Sequence, residues 1–247
     1  MRNSANRAVG AVLFDLDGTL LDTAPDLMNA LNYALASAGL SRIDDGSAKP
    51  YISGGARSML AYALSKQRPL SKINPSVQAR EADAEHQALY EQLVDRMLSF
   101  YAMNLCGQTR FYDGVEKVLD TLHQHSIPFG VVTNKISRFT DPIIKALSIH
   151  HRTDCIISGD TTPEKKPHPK PLLEACERLE VNPNECVYIG DASRDIEAGR
   201  RAGMKTLAAA YGYIDTLEDI AGWGADQILN EPIELLDWLC LQPASSP

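Results

Sequence analysis

The first hydrophobic segment of the chain is short and apolar on both of its faces. It runs from Val9 to Phe14 and ends abruptly in the polar stretch from Asp15 to Thr19. A short, continuous apolar run of this kind is typical of a strand that is buried in a parallel sheet. The pattern therefore predicts a first strand at 9–14 whose carboxyl end carries acidic residues.

Apolar positions then recur at helical spacing over about 80 residues. Two stripes are clearest, and their members are Leu27, Leu31 and Leu35 in the first and Leu89, Leu93, Met97 and Tyr101 in the second. The second stripe falls in a charged segment at 78–103, and a shorter helix is expected at 55–65 between the two. This part of the chain is therefore predicted to be helical.

From Asp113 onward, strands and helices alternate. The predicted strands are 128–132, 154–158, 186–190, 205–209 and 226–229, and the predicted helices start near 115, 137, 170, 194 and 232. Such alternation is typical of right-handed βαβ units, and it predicts an α/β fold with a Rossmann-like doubly wound parallel sheet. With the strand at 9–14 added to this sheet, we expect an α/β core at 1–22 and 106–247 and an inserted α-helical cap domain at 23–105.

Composition and charge narrow the classes of partner. The net charge of −8, from 32 acidic and 24 basic residues, would repel a phosphate backbone, so we expect no nucleic-acid partner. The longest apolar runs fall far short of the roughly 20 residues that a membrane span needs, so we expect no membrane partner. Five cysteines without a CxxC pair favour reduced thiols, and we expect a cytoplasmic protein.

Polar side chains follow several of the predicted strands at the point where each strand ends. They are Asp15 and Asp17 after the first strand, Thr133 and Asn134 after the second, Lys166 in the loop after the third, and Asp191 and Asp195 after the fourth. The carboxyl ends of parallel strands meet at one edge of a sheet, where such folds bind their ligands. Clustered carboxylates repel one another, and oxygen ligands without His or Cys favour Mg²⁺ as the ion that joins them.

Four stretches of the chain resemble the motifs of the haloacid dehalogenase superfamily, in order and at fitting intervals. They are Asp15-Leu-Asp-Gly-Thr-Leu20, Thr133-Asn-Lys135, Lys166-Pro-His-Pro169 and Gly190-Asp-Ala-Ser-Arg-Asp195. The resemblance spans residues 9 to 230, and the helical insertion is similar to the cap of that superfamily. Residues 52–57, 211–214 and 223–226 are similar to signatures of its phosphoglycolate phosphatase-like group.

The resemblance implies a role for each acidic residue. Asp15 would be the nucleophile that forms an aspartyl-phosphate, and Asp17 would be the general acid and base. Magnesium would be held by Asp15, by Asp17 through its backbone carbonyl, and by Asp191 and Asp195. Asp191 and Asp195 can also be strand-end and helix-capping residues, which is compatible with this role.

The remaining candidates would contact the phosphoryl group or the rest of the substrate. Thr133 and Asn134 would cradle phosphoryl oxygens, and Lys166 would offset their charge, with Lys165 as its competitor for that role. In the cap, Gly55 permits close approach of the backbone, and Arg57 offers a planar fork that suits a carboxylate. A surface or structural arginine is an equally favoured interpretation of Arg57.

The resemblance implies a Mg²⁺-dependent phosphatase, because a dehalogenase lacks an acid at the position of Asp17. The expected substrate is a small phosphorylated sugar or hydroxy acid, either N-acetylmuramic acid 6-phosphate or 2-phosphoglycolate. A phosphotransferase or sugar phosphomutase is one alternative, although a mutase of this cap type typically has His where this chain has Leu27. A non-catalytic binding protein with the same fold is the other, and a monomer or homodimer is expected.

Overall fold

The structure is a computed structural model that describes residues 9–44, 46–67, 79–214 and 220–242, with 79–86 described as backbone only. The chain divides into two compact units. One is formed by the chain up to Thr23 and again from Thr109 onward, and the other by Ala24–Gln108. The domain boundaries at 22/23 and 105/106 stay a prediction.

The strands all belong to the first unit. They are β1 (Ala11–Phe14), β2 (Leu21–Asp22), β3 (Arg110–Phe111), β4 (Phe129–Val132), β5 (Cys155–Ile157), β6 (Cys186–Gly190), β7 (Lys205–Ala209) and β8 (Gln227–Leu229). All but β2 and β3 form one parallel sheet in the order β5-β4-β1-β6-β7-β8. The predicted α/β fold with a doubly wound parallel sheet is confirmed.

The helices divide between the two units. They are α1 (Ala24–Ser37), α2 (Gly55–Lys66) and α3 (Ala79–Met103) in the second unit, and α4 (Val115–Gln124), α5 (Ser137–Ala146), α6 (Lys170–Leu179), α7 (Ser193–Ala202) and α8 (Glu234–Trp238) in the first. Helix α4 shows why the hydrophobic pattern was informative, since its buried apolar residues are Val115, Val118, Leu119 and Leu122. The last helix, predicted to start near 232, begins at Glu234.

The order of the strands determines where a ligand site can form. Strand β1 lies between β4 and β6, and all four of its residues are buried. The chain builds the sheet outward from β1 on one side through β4 and β5, and then returns to the other side with β6. A crevice opens outside the carboxyl ends of the strands where the strand order reverses in this way. The residues that follow β1, β4 and β6 therefore line that crevice.

A second, two-stranded sheet lies where the chain leaves the first unit and returns to it. Strands β2 and β3 pair antiparallel, with Leu21 opposite Phe111 and Asp22 opposite Arg110. The hydrophobic pattern did not predict this sheet, because two-residue strands carry no recognisable alternation of apolar and polar positions.

The second unit is helical, as predicted for the insertion. Helix α1 packs against α2 and α3, and its buried residues include Met28, Leu31 and Leu35. After α1, the side-chain amide of Asn32 fixes the returning chain, because it donates to the Ile43 carbonyl at 3.1 Å and accepts from the Ile43 N–H at 2.8 Å. Among the described residues, no helix combines the length and the hydrophobicity that a membrane crossing requires.

Candidate active site

Three buried carboxylates meet at the carboxyl ends of β1 and β6. Asp15 follows β1 directly, Asp191 follows β6, and Asp195 lies in the first turn of α7. Each offers one carboxylate oxygen, and these oxygens lie within 4.8 Å of one another. Asp195 is held in this position by the Ala192 N–H, which donates to Oδ2 at 3.1 Å.

Burial makes this cluster electrostatically unfavourable without a cation. Burial raises the pKa of Asp15, and the nearby carboxylate of Asp195 raises it further. The Lys166 ammonium lowers this pKa and so offsets part of the rise. Burial also raises the pKa of Asp191 well above its usual range, and the carboxylates of Asp15 and Asp195 add to that effect. Oxygen ligands with excess buried negative charge fit a hard divalent cation.

The loop around Asp191 is closed by two glycines that leave no room for a side chain. A Cβ at Gly18 would lie 2.1 Å from Asp191 Oδ2, and a Cβ at Gly212 would lie 2.3 Å from Asp191 Cβ. The Tyr213 N–H donates to Asp191 Oδ2 at 2.9 Å, and the Thr19 hydroxyl donates to Oδ1 at 3.4 Å. Neither donor is charged, so they orient the Asp191 carboxylate and leave its charge in place.

Among the described residues, Lys166 is the one lysine whose ammonium contacts this carboxylate cluster. Its Nζ lies 3.0 Å from Asp15 Oδ1 and 2.8 Å from Asp195 Oδ1. The Val132 carbonyl accepts from Nζ at 2.9 Å, and the Tyr188 hydroxyl lies 2.6 Å from it. Lys166 is 3% exposed, whereas its predicted competitor Lys165 is exposed to solvent.

Asp17 is not a member of the cluster of three carboxylates, and its side chain contacts other residues. Lys135 Nζ lies 2.8 Å from its Oδ1 and 3.0 Å from its Oδ2. The Thr23 hydroxyl donates to Oδ1 at 2.5 Å. A carboxyl group held on two sides in this way has a defined orientation, which a proton donor and acceptor needs.

The loop that follows β4 carries Thr133 and Asn134, for which phosphoryl contacts stay a prediction. Thr133 is buried, and its hydroxyl oxygen accepts the Lys135 N–H at 3.1 Å. The Asn134 side chain makes two hydrogen bonds with the backbone of Lys166, each 3.0 Å long. The structure therefore brings Thr133, Asn134 and Lys166 together, as the sequence predicted for residues at adjacent strand ends.

A comparison with models of protein families shows which family the chain belongs to. The family model described as haloacid dehalogenase-like hydrolase matches residues 12–209. The chain belongs to that family.

Relatives of this hydrolase are similar to it over nearly their whole length. It is 40% identical over 229 residues to an N-acetylmuramic acid 6-phosphate phosphatase from Pseudomonas aeruginosa. The aligned residues cover 93% of this chain and 94% of the relative. It is also 40% identical over 237 residues to a phosphoglycolate phosphatase from Xanthomonas campestris. This alignment covers 96% of this chain and 97% of the relative. These relatives are phosphatases, and the hydrolase is accordingly a phosphoric monoester hydrolase, as predicted.

A solved structure supports the same assignment. The crystal structure of a predicted phosphoglycolate phosphatase from Haemophilus somnus matches this hydrolase with a TM-score of 0.79 and 27% sequence identity. The match covers 94% of this chain and 98% of that chain. The similarity includes the helical insertion, because it extends over nearly the full length of both proteins.

Sequence reasoning did not assign a role to three residues that hold the site together. Lys135 belongs to a recognised motif, but its partner Asp17 is 118 positions away. Tyr188 was predicted only as part of a buried strand, and Tyr213 only as part of a signature. The sequence places Lys135 and Asp17 just beyond two predicted strands, but that these strands are neighbours, β1 beside β4, is seen only in the structure.

The two predicted substrate ligands of the cap lie in the helical unit of the hydrolase. Arg57 is exposed, and its guanidinium forms a bidentate ion pair with Glu91, with two contacts of 2.7 Å. Gly55 has a φ of +76°, a conformation that favours glycine, and a Cβ there would meet no atom within 4 Å. That Arg57 and Gly55 contact substrate stays a prediction.

Proposed function

We propose that this hydrolase is a Mg²⁺-dependent phosphatase that acts through a phosphoryl intermediate on Asp15. One observation carries the proposal: the carboxylate of Asp15 shares a buried cluster with Asp191, Asp195 and the Lys166 ammonium. A nucleophilic carboxylate beside groups that can bind a cation and an anion is suited to phosphoryl transfer, in which positioning and charge stabilisation supply most of the catalysis.

The proposed metal ligands are Asp15, Asp191, Asp195 and the backbone carbonyl of Asp17. Their donor atoms are all oxygens, and the buried negative charge of the three carboxylates favours a divalent cation. When bound, Mg²⁺ would offset negative charge on the phosphoryl oxygens.

The protein's own residues carry the chemical steps. The Asp15 carboxylate attacks phosphorus, so that a new P–O bond forms while the ester P–O bond to the leaving alcohol breaks. The Asp17 carboxyl gives its proton to the departing oxygen. In the second step, a water oxygen attacks phosphorus while Asp17 accepts its proton, and the P–O bond to Asp15 breaks, which releases inorganic phosphate and restores the Asp15 carboxylate. Thr133 and Lys166 bind the phosphoryl oxygens during both steps.

The proposed substrate is a small phosphate ester that also carries a carboxylate. N-acetylmuramic acid 6-phosphate is the first candidate, because a relative of that activity is 40% identical over 93% of this chain. The second candidate is 2-phosphoglycolate, because the Xanthomonas relative of that activity reaches the same identity over 96% of the chain. We propose the cytoplasm as the compartment, since all five cysteines are free thiols.

A panel of phosphate esters tests both the reaction and the substrate. The panel contains N-acetylmuramic acid 6-phosphate, 2-phosphoglycolate and common hexose phosphates, each assayed for phosphate release with Mg²⁺ and ranked by kcat/KM. We expect one of the first two esters to rank highest, and we expect EDTA to stop turnover and added Mg²⁺ to restore it. Full activity in EDTA would overturn the metal assignment. No turnover of any ester would overturn the proposed reaction.

A further inference from the structure

The side chain of Asn134 is directed at the backbone of the loop that carries Lys166. Its Nδ2 donates to the Lys166 carbonyl at 3.0 Å, and its Oδ1 accepts the Lys166 N–H at 3.0 Å. Both polar atoms of the amide are therefore used by one residue, 32 positions further along the chain. A paired donor and acceptor fixes both the position and the orientation of the peptide groups that it contacts.

The loop needs such a support because its own backbone lacks a regular ladder at this point. Lys166 lies between β5 and α6, outside both elements. At the other end of its side chain, Nζ lies within 3.0 Å of four oxygens, which belong to Asp15, Asp195, Val132 and Tyr188. The ammonium can occupy this position only if the backbone of Lys166 starts from the correct place.

The backbone of Asn134 is in turn packed against Gly159. A Cβ at Gly159 would lie 2.1 Å from the Asn134 carbonyl oxygen and 2.6 Å from its carbonyl carbon. The Gly159 N–H donates to the Lys135 carbonyl at 2.7 Å. The turn after β5 thus packs directly on the backbone of Asn134, which limits how far the amide can move.

We propose that Asn134 is a positioning residue that acts through Lys166, in place of the direct phosphoryl contact expected from the motif. Its amide fixes the backbone of Lys166, so that the ammonium lies between Asp15 and Asp195, where the phosphoryl group is transferred. This inference rests on the proposed function. It adds that the Asn134 amide sets the conformation of the loop at Lys166, and that this conformation determines where the Lys166 ammonium lies.

The helical unit contains a matched control. Asn32 makes the same pair of hydrogen bonds with the backbone of Ile43, at 3.1 Å and 2.8 Å, and it is 4% exposed. Asn32→Ala removes an amide clamp of the same geometry from a loop that carries no proposed catalytic group. Comparison of the two alanine variants therefore separates the loss of a clamp from the loss of the Lys166 position.

The first test is the steady-state kinetics of Asn134→Ala against Asn32→Ala. A misplacement of about 1 Å near the reacting groups costs about 100-fold in rate, so we expect kcat of Asn134→Ala to fall about 100-fold with little change in KM. Asn134→Leu, which keeps the volume of the side chain without its hydrogen bonds, is expected to behave in the same way. We expect Asn32→Ala to keep the wild-type kcat. A loss confined to KM, or equal losses in kcat for the two alanine variants, would overturn the inference.

A double-mutant comparison tests whether Asn134 acts through Lys166. The affinity for inorganic phosphate in the presence of Mg²⁺ is measured for the wild type, Asn134→Ala, Lys166→Met and the double variant, a readout that does not depend on turnover. We expect both single changes to weaken phosphate binding and the double variant to bind phosphate no more weakly than Lys166→Met. Effects that multiply would overturn the inference, whereas a wild type without turnover of any ester would overturn the proposed function instead.

Discussion

The ammonium of Lys135 lies 2.8 Å and 3.0 Å from the two carboxylate oxygens of Asp17. Both side chains are largely buried, at 9% and 18% exposure. The pair connects the loop after β4 with the loop after β1, and it holds the proposed general acid in one orientation. Its contribution to the reaction can be measured, because not every leaving group needs a proton.

Lys135→Met should slow esters with poor leaving groups more than esters with good ones. A sugar alkoxide needs the proton of Asp17, and well-placed general acids contribute about 100-fold or more to rate. Nitrophenolate leaves without a proton. We therefore expect kcat/KM to fall at least about tenfold more for an alkyl phosphate than for p-nitrophenyl phosphate. Equal losses for the two esters would show that Lys135 does not act through Asp17.

Lys166 and its neighbour Lys165 form a matched pair for testing the buried cation. Lys166 is buried against Asp15 and Asp195, whereas Lys165 is exposed. The loss of one group that stabilises transition-state charge costs about 100- to 1,000-fold, so we expect a loss of that size in kcat for Lys166→Met. Lys165→Met should retain the wild-type kcat. A larger loss for Lys165→Met than for Lys166→Met would reverse the assignment.

Tyr213 fastens the segment that leads out of the first unit. The Thr23 N–H donates to the Tyr213 hydroxyl at 2.5 Å, and the hydroxyl donates to Asp22 Oδ1 at 3.1 Å. Tyr213→Phe leaves the Thr23 N–H without this partner, and a buried group left unpaired costs about 1–3 kcal/mol.

Urea unfolding measures that cost. We expect a lower unfolding midpoint for Tyr213→Phe and an unchanged midpoint for the control Tyr33→Phe, since Tyr33 is 49% exposed. A midpoint for Tyr213→Phe equal to that of the wild type would remove the hydroxyl from any structural role.

The fold could be predicted because each element of the sheet leaves a distinct hydrophobic pattern. The run at 9–14 is apolar on both faces, and it forms the central strand β1, which is covered on both sides. Helix α4 shows the 3.6-residue period of a helix with one buried face. The β2–β3 pair lacked such a pattern, because two residues per strand are too few to show one.

The members of the site could be predicted more readily than their contacts. Strand ends determine which side chains share the edge of a sheet, and this was enough to bring Asp15, Lys166 and Asp191 together. The partners within that set depend on loop conformation, which short-range patterns do not determine. For this reason the Lys135 pairing with Asp17 and the direction of the Asn134 amide emerged only from the three-dimensional structure.

The most direct test of the central claim is to find where the phosphoryl group resides during turnover. The hydrolase is mixed with its best substrate, quenched in acid within the first turnover, digested and mapped by mass spectrometry. The account predicts one phosphoryl group on the peptide that contains Asp15 and none in Asp15→Asn. A phosphoryl group on another residue, or turnover by Asp15→Asn at the wild-type rate, would contradict it.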